Sequence, residues 1–417
     1  MEMVESTEDQ AHPRAMSSAP IRPLATIPTP DELIDRARAL VPEIRALAQD
    51  TEKNRNVFPH IIRKIREAEL LRTCRPRMFG GFEHDGEVAL RIALTISAAC
   101  ASTGWTVNGA VSNGLSLSHW SIEAQREIWE GDADAFTFAC FAPTGTAAPV
   151  DGGYRLTGKW AFASGCDASD WGKLGAMIQS PGRPPEGAFF LLPVGDLQIV
   201  DTWFVAGLCG TGSKDIVVDD VFVPSHRVLK FSDTRAGSSP GARHHENPIY
   251  RIPLLTLGAS MLASTAIGAA RGAVESYLEQ TVGRTTRGAL AGGGLRMTEF
   301  ATIQLRFAEA TAASEAAELI LLNDMQETMR KLRAGGELTV ADRIRARRNQ
   351  AYVTRLAVQA VEALNASTGG YGLHLENPVQ RAWRDVNAVA RHVSLNWDAV
   401  GTMYGQHAFG LEPKGQY

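Results

Sequence analysis

The sequence has few cysteines, and their spacing points to neither a disulfide bridge nor a metal site. Five cysteines are present, an odd number, and no two of them form a C-x-x-C pair. This spacing disfavours both a disulfide framework and a structural zinc site. Free thiols persist in a reducing compartment, so we expect the protein in the cytoplasm.

Charge and hydropathy exclude two further classes of protein. The 417 residues carry a formal net charge of −4, and the basic residues are scattered along the chain, which disfavours a nucleic-acid partner. The longest apolar run, 254–270, is interrupted by Thr and Ser and is shorter than the roughly 20 residues of a membrane span. We therefore expect a buried helix there and no membrane association.

The chain divides into an extension and three zones. Residues 1–29 are acidic and then rich in Pro, Ala and Ser, which predicts a disordered extension without a signal peptide. Helical spacing of apolar residues predicts an N-terminal helical domain over 30–134, in which 102–105 interrupts two helices. Residues 135–235 predict a central β-domain, and 236–417 a C-terminal helical bundle. The predicted strands are 136–142, 154–164, 171–179, 188–193, 198–204 and 214–224, and the predicted bundle helices are 253–283, 298–333, 339–368 and 378–404.

The fold class predicted from these zones is α+β, mainly α. Small residues are abundant on the bundle helices, which permits close helix packing. Such a bundle usually has more apolar surface than one chain covers, so we expect an oligomer, most simply a homotetramer.

The sequence pattern of 154–167 suggests a cofactor-binding surface. Tyr154, Leu156, Trp160 and Phe162 alternate as on one face of a strand, and Ala163-Ser164-Gly165 follows with little side-chain bulk. Backbone N–H groups and one hydroxyl would then be free to meet a flat cofactor such as a flavin. The same pattern is also compatible with an ordinary β-core.

Two other patterns are set aside. The glycines of 207–212 precede a strand, whereas a dinucleotide-binding loop must open a helix. His244-His245-Glu246 lies among Gly, Ser and Pro without a remote ligand pattern, so we predict no metal site.

The order of the zones, together with several motifs, resembles the acyl-CoA dehydrogenase fold. More closely, it resembles the two-component flavin-dependent monooxygenases built on that fold, which include hydroxyphenylacetate and secosteroid-phenol hydroxylases. The resemblance covers about residues 30–413. The motifs are Ser102-Thr-Gly-Trp105, Ala142-Pro-Thr-Gly145, Asp151-Gly-Gly-Tyr-Arg-Leu-Thr-Gly158, Phe162-Ala-Ser-Gly-Cys-Asp167, Gly210-Thr-Gly-Ser213, Val221-Phe-Val-Pro224 and Gln380-Arg-Ala-Trp-Arg-Asp385.

This resemblance implies an N-terminal helical domain, a central β-barrel-like domain and a C-terminal four-helix bundle. It implies reduced FMN as cosubstrate, with FAD possible, supplied by a separate NAD(P)H-dependent flavin reductase. Reaction with O2 would give a flavin hydroperoxide that oxygenates a small aromatic substrate. Because that species decays when water reaches it, the site is expected to be apolar and closed.

The resemblance also implies the site residues. His392 stands where acyl-CoA dehydrogenases carry a glutamate base, and an imidazole of near-neutral pKa suits a peroxide better than a C–H proton. Ser164 would lie near flavin N5. The catalytic set is His392, Ser164 and Asn113; the flavin set is Trp105, Phe141, Thr144, Ala163, Ser164 and Arg287; the substrate pocket is Asn113, His119, Ala139 and His392.

One departure leaves the substrate open. Phenol hydroxylases of this family activate the substrate oxygen with a histidine and a serine, and this chain has Asn113 and Ala139 at those positions. An amide cannot act as a base at neutral pH. An aniline, an indole, or oxidation at nitrogen or sulfur is therefore as compatible as a phenol. The sequence is also compatible with an FAD-holding dehydrogenase-like enzyme and with a catalytically silent binding protein.

Overall fold

The computed structural model describes residues 26–235, 239–286 and 294–417. Arg287 and residues 1–25 of the predicted extension lie outside these ranges. The α-helices described are α1 (Pro30–Ala46), α2 (Ala48–Asn54), α3 (Pro59–Glu67), α4 (Gly86–Ala99), α5 (Ala101–Leu117), α6 (Ile122–Trp129), α7 (Phe231–Arg235), α8 (Leu254–Val282), α9 (Ala301–Arg333), α10 (Val340–Ala366), α11 (Pro378–Val389) and α12 (Trp397–Ala408). The strands described are β1 (Thr137–Val150), β2 (Gly153–Ala163), β3 (Trp171–Ile178), β4 (Glu186–Pro193), β5 (Gln198–Val200), β6 (Lys214–Pro224) and β7 (Val228–Lys230).

The first helices begin near the residues at which the sequence predicts them, with one exception. α1 starts with a capping box, in which the Thr29 side chain accepts from Glu32 N and the Glu32 side chain accepts from Thr29 N. The expected interruption at 102–105 is wrong, since those residues lie inside α5. The break falls instead at Cys100, whose backbone is extended. Gly104 allows α5 to pack on α4, because a Cβ there would lie 2.1 Å from Ser97 Oγ.

The seven strands form one sheet in the order β5-β6-β2-β1-β3-β4-β7. β1 and β3 run parallel, and the other pairs are antiparallel. β1 continues well beyond the predicted 136–142, the strand predicted at 198–204 ends at Val200, and β7 was not predicted. One face of the sheet has its own buried core, which includes Phe138, Leu156, Trp160 and Phe190.

The predicted aromatic face of β2 breaks at its end. Leu156 and Trp160 are buried, but Phe162 is 69% exposed and adopts a left-handed φ of 66°. The β2–β6 register shifts between Trp160 and Ala163, so that Ala163 takes the buried position. The expectation that Phe162 shares the face of Trp160 is therefore wrong.

The C-terminal zone is built around α8. This helix is long and apolar enough to cross a membrane by composition alone, but 72% of its most apolar window is buried. It packs against α4, α5, α9, α10 and α11, as a core helix does. The predicted fourth long helix, 378–404, is instead two helices, α11 and α12, and His392 lies in the break between them.

Candidate active site

Trp105 on α5 and Ser164 after β2 form the centre of the candidate site. Trp105 Nε1 donates to Ser164 Oγ over 3.0 Å, and Ser164 Oγ lies 2.7 Å from Ser213 Oγ. Ser213 Oγ lies 2.7 Å from Thr211 Oγ1, which donates to Leu208 O. The chain of donors therefore runs in one direction, from the indole to a backbone carbonyl. Ser164 Oγ keeps one lone pair for a further hydrogen bond.

The turn that presents Ser164 is pressed against α5. Gly165 has a φ of 73°, and a Cβ there would lie 2.9 Å from Thr106 Cγ2, so the position requires glycine both for its conformation and for the close approach. The sequence predicted no role for Ser213, the partner of Ser164, or for Thr211, the partner of Ser213. The motif 210–213 was the one signal that could have identified them.

His392 reaches the same centre from the break between α11 and α12. Its ring centroid lies 5.7 Å from that of Trp105 in an edge-on arrangement. Nδ1 accepts from Ser394 N over 3.1 Å, so the neutral ring carries its proton on Nε2. Desolvation and, secondly, the positive charge of Arg347 lower the pKa of His392 to about 4. The expected near-neutral pKa is therefore wrong, and the imidazole is uncharged at physiological pH.

The predicted substrate residues lie further along α5 and on β1. Asn113 is buried, and its Nδ2 donates to Thr137 O over 3.2 Å. Ala139 of β1 pairs in register with Lys173 of β3, a residue that carries no distinguishing signal in the sequence. His119, beyond the end of α5, forms a 2.7 Å hydrogen bond between Nδ1 and Ser239 Oγ. Desolvation, followed by the charges of Lys173 and His245, lowers the pKa of His119 to about 4.

The predicted flavin residues of the β-domain take different positions. The pairing of β1 with β3 skips from Cys140 to Gly145, which leaves the backbone of 141–144 outside that ladder. Phe141 is 50% exposed. Thr144 Oγ1 donates to Lys159 O over 2.8 Å. The Ala163 side chain is buried in the sheet core, so only its backbone faces the turn.

A flat ring system suits these groups. Phe162 and Phe141 offer exposed aromatic surface. The backbone of 141–144, which lies outside the β1–β3 ladder, could offer polar groups to ring heteroatoms. Trp105 and His392 add further ring surface beside the Ser164 hydroxyl. The residues present therefore fit an isoalloxazine. Arg287, predicted to hold the flavin phosphate, lies outside the described residues. The nearby Arg284 donates to Thr368 O and lies over the Tyr371 ring at 5.2 Å.

Comparison with known proteins identifies the family of the chain. Residues 260–397 match the family model described as acyl-CoA dehydrogenase, C-terminal domain. The chain is 46% identical over 409 residues to the FADH(2)-dependent resorcinol hydroxylase, oxygenase component, of Rhizobium sp. (strain MTP-10005), covering 96% of this chain and 99% of the relative.

Solved structures show the same relationship. The 3-HSA hydroxylase of Rhodococcus sp. RHA1 superposes with a TM-score of 0.87 at 33% identity, over 92% of this chain and 98% of that one. XiaF from Streptomyces sp., solved with FADH2 and glycerol, gives a TM-score of 0.86 at 28% identity, over 93% and 97%. The expected fold and flavin dependence are confirmed. The chain belongs to the oxygenase components of the two-component flavin-dependent monooxygenases, which have the acyl-CoA dehydrogenase fold.

Proposed function

We propose that this oxygenase hydroxylates a small phenol, with reduced flavin delivered by a separate NAD(P)H-dependent reductase. The observation that carries the proposal is the meeting of Trp105, Ser164 and a neutral His392 around a surface suited to a flat ring. The name of the 46% identical relative, a resorcinol hydroxylase, supports a phenolic substrate. That name also specifies FADH2, so FADH2 is tested beside the predicted reduced FMN.

The bound flavin supplies an electrophilic oxygen atom derived from O2. Ser164 Oγ would accept the N5–H hydrogen bond of the reduced ring with its remaining lone pair and hold that proton in place. Trp105 fixes the serine through its own donated hydrogen bond. His392 Nε2–H would donate to the oxygen being transferred, as a neutral group that brings no competing charge. Phe141 and Phe162 would help to exclude water.

A reconstituted assay tests this function. The purified chain is supplied with a flavin reductase, NADH, ¹⁸O2 and a panel of phenols, anilines, indoles and sulfides, and products are identified by mass. We expect one ¹⁸O atom in a hydroxylated phenol. Incorporation only at nitrogen or sulfur would refute the phenol assignment. A stoichiometric FAD complex that survives gel filtration and oxidises acyl-CoA would favour a dehydrogenase-like enzyme instead.

We also propose a homotetramer in the cytoplasm. Large apolar side chains are exposed on the helical zone, including Leu305, Leu319, Leu373 and Phe409, with exposures between 56% and 86%. Where such side chains form a contiguous patch, they mark a contact with another chain. All five cysteines are buried and unpaired, as expected in a reducing compartment. Light scattering after gel filtration tests the assembly, and a monomer near the 45.0 kDa chain mass would refute it.

A further inference from the structure

Lys173 is a buried lysine without a carboxylate partner among the described residues. Its side chain is 1% exposed, and Nζ donates to Ser116 Oγ over 2.6 Å. Its other close neighbours are aromatic rings, with Nζ 4.7 Å from the Phe141 centroid, 5.6 Å from Trp120 and 5.8 Å from Phe189. A buried lysine without an opposite charge is costly to retain, so a function is the expected reason for it.

The surroundings leave this amine available for a ligand. The Ser116 hydroxyl donates its hydrogen to Asn113 O and accepts a hydrogen bond from Lys173 Nζ. Ser116 therefore satisfies only one hydrogen-bonding position of the lysine amine. Desolvation lowers the pKa of Lys173 to about 7. The titratable neighbour is His119, which in turn interacts with His245. The pKa values of both histidines are lowered to about 4, so both are neutral when the lysine titrates. The amine therefore interconverts between its neutral and charged forms near pH 7.

Lys173 lies on the sheet face that meets α5. Its register partner Ala139 shares that face with Thr137 and Phe141, opposite the buried side chains of Phe138 and Cys140. The hydroxyl of Thr137 is buried and has no hydrogen-bond partner among the described residues. The same face thus carries the amine of Lys173 and, diagonally across the β1–β3 ladder, the hydroxyl of Thr137.

α5 connects this face to the flavin side of the site. Trp105, Gly109, Ser112 and Ser116 recur at helical spacing on one face of α5. Gly109 and Ser112 are the only residues of α5 that are not fully buried, and a Cβ at Gly109 would meet no atom within 4 Å. Open space therefore borders α5 at Gly109, on the same helix face as Trp105 and Ser116. Gly109 lies about one turn beyond Trp105 and about two turns before Ser116.

We propose that Lys173 binds the hydroxyl oxygen of the aromatic substrate in this space and takes its proton, an inference that rests on the function proposed above. The O–H bond breaks, its electron pair stays on oxygen, and the amine lone pair forms the new N–H bond. The resulting phenolate and ammonium remain paired. The negative charge raises electron density on the ring carbons ortho and para to the oxygen, where an electrophilic oxygen atom adds. Lys173 would then supply the base that Asn113 and Ala139 cannot.

The test compares Lys173→Met with Lys230→Met. Lys230 lies on β7 in an exposed ion pair with Glu186, so its variant controls for the loss of a lysine alone. Lys173→Gln is the second variant, in case methionine packs poorly. With reduced flavin supplied, we expect kcat/KM for phenols to fall about 10²–10⁴-fold in both Lys173 variants. Flavin binding, and turnover of the matching methyl ethers, are expected to stay as in the wild type.

A binding measurement gives a readout independent of turnover. 4-Nitrophenol absorbs in the visible only as its phenolate, so its titration in the complex reports the protonation of the bound hydroxyl. We expect the wild type and Lys230→Met to lower the apparent pKa of bound 4-nitrophenol, and the Lys173 variants to abolish that shift. An unchanged shift and unchanged kcat/KM in both Lys173 variants would overturn the proposal. If the wild type hydroxylates no phenol but still shows the shift, the proposed reaction is wrong while the binding role of Lys173 stands.

Discussion

The protonation of His392 is determined by its environment and not by its residue type. A histidine in a helix break would ordinarily titrate near neutral pH, but burial and the Arg347 charge lower the pKa of this one to about 4. Arg347 also donates to Ser394 O, beside the backbone N–H that fixes the ring. The same arginine thus adds to the effect of burial on the pKa of His392 and holds the segment that orients the ring.

Replacing His392 is expected to separate oxygen consumption from product formation. His392→Ala should still bind reduced flavin, because the hydroxyl chain from Trp105 to Leu208 is untouched, while product formed per O2 falls. Loss of a positioned donor costs about 10²–10⁴-fold in the coupled rate. Hydrogen peroxide and product are measured together, with His60→Ala on α3 as the control. Coupled turnover equal to the wild type would remove His392 from the mechanism.

Ser164 offers a second test at this scale. Ser164→Ala leaves Trp105 Nε1 and the flavin N5–H without their acceptor, which should cost on the order of 1–3 kcal/mol at the reacting flavin and raise peroxide release. The control is Ser169→Ala, because Ser169 donates to Gly165 O in the same turn without touching Trp105. Stopped-flow spectra and peroxide assays measure the effect. Equal peroxide release by both variants would make the Ser164 hydroxyl purely structural.

The boundaries of some helices and strands could be predicted from the sequence, and those of others could not. The capping box of Thr29 and Glu32 marks the start of α1, and the predicted strand 214–224 matches β6, since both depend on local signals. The helix break at His392 and the left-handed Phe162 have no local signal, because each depends on how distant elements pack. The burial of Lys173 likewise follows from pairing β3 with β1 and covering both with α5, which no window of sequence contains.

The contact between α8 and α4 depends on glycine at one position and not at another. A Cβ at Gly272 would lie 2.1 Å from Ala98 O, whereas one at Gly258, on the same helix, would meet nothing within 4 Å. Gly272→Ala should therefore destabilise the protein by about 1–3 kcal/mol through overpacking. Gly258→Ala should stabilise it by about 0.5–1 kcal/mol, because alanine favours a helix interior. Urea denaturation measures both, and equal effects would contradict this packing.

At the scale of the whole molecule, three histidines among the described residues have strongly lowered pKa values. His119, His245 and His392 each have a folded pKa of about 4, chiefly through desolvation, against an unfolded value near 6.5. Between these values the unfolded chain binds protons that the folded chain does not. Their contribution to stability is therefore complete above about pH 6.5 and is lost as the pH falls toward 4.

We expect the urea midpoint to decline steadily from pH 6.5 to 4. His119→Asn should reduce the slope of that decline, because it removes one of the three groups. Lys173 affects stability at higher pH. Its folded pKa of about 7 lies below the unfolded value, so the free energy of unfolding rises as the pH increases past 7. Lys173→Met should therefore stabilise most at acidic pH. A midpoint independent of pH across both windows would contradict these assignments.

The two halves of α5 border different parts of the site. Trp105, near its start, belongs to the flavin end of the site, and Ser112, Asn113 and Ser116 border the space that the substrate is proposed to occupy, two to three turns further on. Because one rigid helix holds both ends, substitutions in its second half would alter substrate preference while leaving oxygen activation intact. Divergence among such enzymes can then proceed by small steps, each of which keeps a working oxidant. The same second half of α5 is the natural region to randomise when a new aromatic substrate is wanted.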